Sequence, residues 1–383
     1  MSQPIPKIVK EKNKEFVKTS FNTLLVDGSN LLEVCFAACK IKNSNGREIG
    51  AIFQFLLQLK ILLQRGKFKY VYVLFDGENS GQLRYNLNTD YKANRDDKVF
   101  QDEEVSDYMK EVQERYNNMV RYFAHKKPAK TETEKENFMW QKDVLIDCLE
   151  NLFIRVIEIE KTEADDIIGW YIANKKEEEK IVICSNDRDL TQLISNDVIV
   201  YIQAKHMFIN TKNHLTEMGY SYENVLLKKM ICGDSSDNIK GIKGVGETTF
   251  MKNFPEVKTK KVTLNEVIEK ARKINEDRKN EKKKPLKWAE NIVNRVTDGC
   301  QGEKIYEINE KIIDLKNPLM TDEAKQMVLD FMYAPLDPEG RTFENVYSIL
   351  LEAGVDDLKE ESKFSNFFIE YKYLINTELK NCN

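Results

Sequence analysis

Oxygen-bearing acidic residues recur in this sequence directly after short apolar runs, and their spacing points to metal-assisted phosphate chemistry. Asp27 closes the run Phe21 to Val26 and opens Asp27-Gly28-Ser29-Asn30, while Asp76 closes Tyr70 to Phe75. Asp187 and Asp189 follow Lys180 to Cys184 within Ser185-Asn186-Asp187-Arg188-Asp189. Glu163, Asp165 and Asp166 precede an apolar helical stretch, Ile167 to Ala173. Asp234 and Asp237 lie three apart in Asp234-Ser235-Ser236-Asp237, a spacing that lets both share one helix face. Any single aspartate after a strand is more often a turn former or helix cap. Five groups at such positions are a different matter. Carboxylates gathered in one cleft repel one another and resist ionisation unless cations offset them. Oxygen-only ligands suit Mg²⁺, with Mn²⁺ as a substitute. The three histidines, His125, His206 and His214, lie outside these motifs, which disfavours a zinc or histidine-based hydrolase. Two divalent ions about 4 Å apart activate a water and stabilise the leaving oxygen of a phosphodiester, and a third ion is compatible with so many carboxylates.

Cations and glycines follow. Arg84 and Tyr91-Lys92-Ala93-Asn94-Arg95 come soon after Asp76. Arg84, Lys92 and Arg95 could offset developing phosphate charge, and Tyr91 could stack on a base. The run Gly241-Ile242-Lys243-Gly244-Val245-Gly246 lacks the preceding strand and βαβ unit that a dinucleotide-binding loop needs, which Leu226 to Cys232 does not resemble. It reads as a helix–hairpin–helix whose exposed N–H groups grip a duplex backbone, helped by Lys240, Lys243 and Thr248.

The elements that must position these groups are near-continuous apolar runs of strand length separated by helical segments. That pattern predicts an α/β fold with a central, mostly parallel sheet flanked by helices. In such sheets, the site lies beyond the carboxyl ends of the strands. Residues 1–20 read as a basic N-terminal arm, and 21–230 as the catalytic core, with a charged helical insertion at about 84–140. The duplex-binding region with a basic insertion covers 225–300, and 301–383 reads as an acidic C-terminal helical subdomain. The net charge is −4 over 383 residues, yet 251–300 holds 14 Lys or Arg against 8 Asp or Glu, and 301–383 holds 9 against 17. A basic surface therefore coexists with an acidic region. Seven scattered cysteines suggest reduced thiols in a cytoplasmic protein, and nothing resembles a signal peptide or membrane span.

Taken together and in order, these motifs resemble the flap endonuclease / 5′→3′ exonuclease superfamily, most of all the myovirus-phage 5′ nucleases historically called ribonuclease H. The resemblance runs over about residues 21–250, with weaker similarity around Ile312-Ile313-Asp314-Leu315. It implies a Mg²⁺-dependent, structure-specific 5′ nuclease that removes flaps and RNA primers in phage DNA replication. It also implies a metal site lined by Asp27, Asp76, Glu163, Asp165, Asp166, Asp187, Asp189, Asp234 and Asp237. Lys92 and Arg95 would stand at the base of a helical arch, with Lys92 steering the scissile phosphate. The glycine run would form a helix–three-turn–helix that holds a K⁺ ion. Expected partners are flapped DNA, RNA–DNA hybrids, a single-strand-binding protein and a sliding clamp. Relatives often carry a basic residue soon after the first aspartate, where this chain has Glu33 and Val34, and some carry a lysine where it has Thr248. Two other functions compete: a PIN-type single-strand ribonuclease and a non-catalytic adaptor for branched DNA. The glycine hairpin opposes the first, and the full carboxylate set opposes the second.

Overall fold

The computed structural model describes residues 21–93 and 134–381. The N-terminal arm, Arg95 and most of the expected arch lie outside the described residues. The first half alternates strands and helices: β1 (Thr23–Asp27), α1 (Gly28–Ala38), α2 (Gly50–Leu63), β2 (Tyr70–Asp76), α3 (Gln82–Leu87), α4 (Glu134–Asn151), β3 (Arg155–Ile159), α5 (Ala164–Ala173), β4 (Ile181–Cys184), β5 (Val198–Ile202) and β6 (Met207–Ile209). The six strands form one sheet in the order β3-β2-β1-β4-β5-β6. All neighbours are parallel except β6, which runs antiparallel to β5.

Successive side chains of a strand point to opposite faces, and here both faces are apolar, as a sheet covered on two sides requires. Leu24, Val26, Val71, Val73, Phe75 and Val182 pack under α1, α2 and α4. Leu25, Tyr72, Leu74, Ile157, Ile181 and Ile183 pack under Ile167, Ile168 and Tyr171 of α5. The outer strands β3, β5 and β6, with β3 and β6 at the edges, extend the sheet beyond the three strands evident in the sequence.

After the sheet, the chain runs through α6 (Val225–Cys232), a short hairpin of β7 (Gly233–Asp234) and β8 (Ile239–Lys240), α7 (Glu247–Asn253), α8 (Leu264–Asn280), α9 (Lys287–Asn294) and α10 (Ile305–Ile313). These enclose a third core built on Met230, Ile231, Ile242, Val245, Phe250, Phe254, Val267 and Ile292. Among the described residues, the stretch from 301 onward does not close a core of its own. Ile305 and Tyr306 of α10 join the third core. Ala324 and Val328 of α11 (Asp322–Phe331) cover one face of the sheet. Val346 and Leu350 of α12 (Phe343–Ala353), with Phe364, Phe367 and Tyr371 beyond it, cover the other. Each of these helices buries one apolar stripe, and the cores already present are what it buries the stripe against. Among the described residues no helix is long and apolar enough to cross a membrane, and the six described cysteines are free.

Candidate metal and phosphate site

The chain leaves β1 for β2 on one side and reaches β4 on the other, so a crevice opens at the carboxyl ends of β1 and β4. Asp27 sits at its centre. One of its oxygens caps α1 by accepting from the Asn30 amide at 3.0 Å, and the other accepts from the Ser185 hydroxyl, beyond β4, at 2.7 Å. The Asp76 amide donates to Ser29 Oγ at 2.8 Å, and the Asp76 carboxylate accepts from the Ala164 amide at 2.8 Å, tying β2 to the first turns of α1 and α5. The Asp187 amide donates to Ser185 Oγ at 3.0 Å, and the Asp187 carboxylate accepts from the Asp189 amide at 2.7 Å. Asp27, Asp76, Glu163, Asp165, Asp187, Asp189 and Asp237 line one cleft, with Ile312, Ile313 and Leu315 as its apolar wall.

Charge is dense here and the titrations reflect it. Burial, then Asp76, pushes Asp27 up to about 7 against the Asn30 and Ser185 hydrogen bonds. Burial, then Asp187, pushes Asp189 up to about 7 against the pull of Lys229. Asp165 is held well above the usual carboxylate range by burial and then by Asp187, Asp27, Asp76 and Glu163. One carboxylate oxygen from each of Asp189, Asp234 and Asp237 fits within 4.8 Å of the others.

Asp234 and Asp237 do not share a helix face. They flank the tip of the β7–β8 hairpin, because Gly233 takes φ +76° and a Cβ there would meet the Gly241 amide at 2.5 Å. Only glycine permits that close return of the chain.

Burial bears on three other expectations. Asp166 is fully buried and points away from the cleft into a paired contact with Arg84, whose guanidinium reaches it at 2.5 and 2.8 Å. Next to it, Asp165 faces the cleft, since consecutive helical residues diverge by about 100°. Arg84 itself is 4% exposed and also holds Glu163 at 2.9 Å and the Ile312 carbonyl at 3.0 Å, so it braces the site. Tyr91 is 2% exposed, and its hydroxyl donates to Glu163 at 2.9 Å, which leaves no open ring face for a base.

Lys92 lies beside it with φ 53°, its ammonium 2.6 Å from Glu163 and its amide donating to the Asp237 carbonyl. Burial pulls the Lys92 pKa down, but Glu163, Tyr91 and Asp237 hold it well above its usual value. Lys229, which the sequence did not single out, joins Asp189 to Asp234. Its position on the last turn of α6, five residues before Asp234, was the available signal. The Ser29 and Ser185 hydroxyls, which accept from the Asp76 and Asp187 amides, stand inside sequence motifs that carry no signal of this role.

The glycine run follows β8 as an exposed loop. Gly244 takes φ +78°. Lys243 donates its amide to Val296 and its ammonium to Asp298 at 2.7 Å, while the Lys240 ammonium reaches Asn238 at 2.9 Å. Gly246 is the N-cap residue of α7, and Thr248 stands exposed in its first turn. Gly241 packs against the Cys232 backbone so closely that a Cβ would lie 2.3 Å from it.

Comparison with known proteins places this arrangement. DNA polymerase I of Streptococcus pneumoniae (strain ATCC BAA-255 / R6) is 31% identical over 241 residues, 60% of this chain and 23% of that protein. This chain thus spans about a quarter of the length of the polymerase relatives it matches. The 5′-3′ exonuclease of Buchnera aphidicola subsp. Baizongia pistaciae is 27% identical over 237 residues, 61% of this chain and 66% of that one. A bacteriophage T5 flap endonuclease in a pseudo-enzyme–product complex with DNA and metal ions shares the fold, with TM-score 0.54 and 18% identity over 87% of this chain and 99% of that one. Residues 22–219 match the family described as 5′-3′ exonuclease, N-terminal resolvase-like domain. That stretch carries the sheet and the carboxylates at its strand ends up to Asp189, and by that match this chain belongs to the 5′-3′ exonuclease family.

Proposed function

We propose that this protein is a divalent-metal-dependent, structure-specific 5′ nuclease that hydrolyses phosphodiester bonds at flaps and RNA primers on DNA during phage replication. The observation that carries the reading is the convergence of eight carboxylates from five chain segments, Glu33 among them, on one cleft with no histidine or cysteine in its lining. Such a donor set fits hard divalent cations, and the raised Asp27, Asp165 and Asp189 fit it too, because a bound cation favours their charged forms. In this proposal Asp27, Asp76, Glu163, Asp165 and Asp187 hold one ion, and Asp189, Asp234 and Asp237 hold another. Mg²⁺ is the physiological metal and Mn²⁺ substitutes. When bound, the ions supply an activated water and charge stabilisation for the leaving oxygen.

The chain's own residues do the rest. Arg84 and Asp166 fix the α3–α5 junction, so that Glu163 and Asp165 keep their positions. Lys92, beside Glu163, offers a cation to the scissile phosphate. Lys240, Lys243 and the amides of 241–246 hold the duplex backbone without reading sequence, and a K⁺ ion at this loop, a single-strand-binding protein and a sliding clamp belong to the same reading.

A 5′-labelled flap duplex incubated with and without Mg²⁺ tests it. Release of a short product at the junction only with metal is expected. Cutting of unpaired strands regardless of the junction would indicate a PIN-type ribonuclease, and binding without cutting would indicate an adaptor.

A further inference from the structure

The basic insertion of the third core is a built element, and most of its cations have no carboxylate partner within it. Helix α8 starts at a capping box, Thr263 with Glu266, buries Val267 and Ala271, and runs 17 residues, on the order of 25 Å. Its far end turns into α9 through a tightly bonded tip. Asn275 both accepts from the Leu286 amide at 2.7 Å and donates to the Leu286 carbonyl at 3.1 Å. Arg278 Nε donates to the Lys284 carbonyl at 2.8 Å, the Lys283 amide donates to the Arg278 carbonyl at 2.8 Å, and Lys282 takes φ 59°.

Residues 270–287 contain nine Lys or Arg against three Asp or Glu. Lys270, Lys283 and Lys287 pair with Glu256, Glu281 and Glu290. Arg272, Lys273, Lys279, Lys282 and Lys284 are exposed and, among the described residues, have no carboxylate within ion-pair distance. Holding five such cations on one short hairpin costs self-repulsion that an external anion would relieve.

The base of this hairpin is anchored on the glycine loop. Asn291 of α9 donates to the Lys243 carbonyl at 2.8 Å, the Val296 carbonyl accepts from the Lys243 amide at 2.9 Å, and Thr297 bridges Ile242 and donates its hydroxyl to the Gly241 carbonyl at 2.9 Å. Since α9 spans eight residues, the tip stands on the order of 12 Å from Lys243.

We propose that the α8–α9 hairpin is a second duplex-binding surface, which extends the phosphate track of the glycine loop by contacting the backbone of the same duplex arm farther from the cleft. The proposal rests on the reading of the glycine loop as a duplex grip. A phosphate backbone fits better than an acidic protein because the cations are presented on a stiff, apolar-poor tip continuous with that loop.

The test compares wild type with the variant Arg272→Gln/Lys279→Gln/Lys282→Gln/Lys284→Gln, in Ca²⁺, on flap substrates whose gripped duplex arm is long or trimmed to about 8 base pairs. On the long arm the variant is expected to bind at least tenfold more weakly at low salt, and its log K against log [salt] slope should flatten by about two, near 0.9 per lost phosphate contact. On the trimmed arm the two proteins should bind alike. An unchanged slope on the long arm, or an equal loss on both arms, overturns the proposal, as does a variant that binds DNA normally but no longer binds an acidic peptide that wild type captures. Circular dichroism of the variant confirms folding. Wild-type Mg²⁺-dependent flap cleavage, run in parallel, separates failure of the nuclease reading from failure of this one.

Discussion

In the cleft, Asp27 and Glu163 are nearly buried, and each is held by two or more donors on other elements. At the glycine loop, Lys240, Lys243, Gly244, Gly246 and Thr248 are exposed, while Ile242 and Val245 turn inward. One region concentrates like charge at the cost of stability, and the other presents its cations on an exposed surface. Chemistry on a phosphate needs ligands fixed to fractions of an ångström, and enclosure provides that. Holding a duplex of any sequence needs many weak contacts, none of them critical. The two regions should therefore answer mutation in opposite ways.

The largest effect belongs to the cleft. Asp187→Asn should lower flap cleavage by about a thousandfold or more, some 4 kcal/mol of barrier, while binding measured in Ca²⁺ changes little. Turnover near wild type would remove Asp187 from the metal cluster and with it the contrast drawn above.

Arg84 sharpens the comparison because it lies in the cleft wall but serves as a brace. Arg84→Gln leaves Asp166 buried without its guanidinium, and breaking a buried pair this way costs about 3–5 kcal/mol. The expected result is a large fall in melting temperature even with Mg²⁺ present. A variant that melts like wild type yet cannot cut would instead make Arg84 a direct participant in the reaction.

These two residues also show what the sequence could and could not disclose. Strand ends announce themselves through apolar runs stopped at or shortly before Asp27, Asp76 and Asp187, so the three central strands and most of the cleft are legible. The sequence does not say which of Asp165 and Asp166 faces the cleft, since that depends on the rotation of α5 against a sheet it meets only after folding. Tyr91 likewise reads as a stacking ring in the sequence, but Ile239, Ile312 and Ile313 pack around it. The spacing of Asp234 and Asp237 suited a helix, and Gly233 made it a hairpin. The C-terminal helices carried clear apolar stripes, but a stripe does not name the core that it will cover.

Acid should stabilise the metal-free protein, an effect of moderate size. Asp27 and Asp189 titrate near 7 in the folded state and near 3.9 in an unfolded chain. With the folded value above the unfolded one, the protonated folded state is favoured at low pH, and that stability is lost as pH rises from about 4 through about 7. Thermal melts in EDTA should fall across this window by an amount equivalent to a few kcal/mol. Saturating Mg²⁺ should flatten the curve, because it stabilises the ionised cluster. A melting temperature that is independent of both pH and metal would mean that the carboxylates are not strained together at all.

The smallest effects belong to the glycine loop, and they differ between its two lysines. Lys240→Ala should weaken duplex binding a few-fold for every sequence alike and flatten the log–log salt slope by about 0.9, the signature of one lost phosphate contact. Lys243 is already engaged by Asp298 at 2.7 Å, so a phosphate must compete for its ammonium, and Lys243→Ala should cost less than Lys240→Ala. The pair is exposed, so it adds little to stability, and its main consequence is to hold a cation back from DNA. Asp298→Asn should therefore tighten binding and steepen the salt slope, and the gain should vanish in the double variant Asp298→Asn/Lys243→Ala. If Asp298→Asn leaves binding unchanged while Lys243→Ala weakens it as much as Lys240→Ala does, the ion pair exerts no restraint. The loop then reduces to a set of interchangeable charges, the opposite of the individually fixed carboxylates in the cleft.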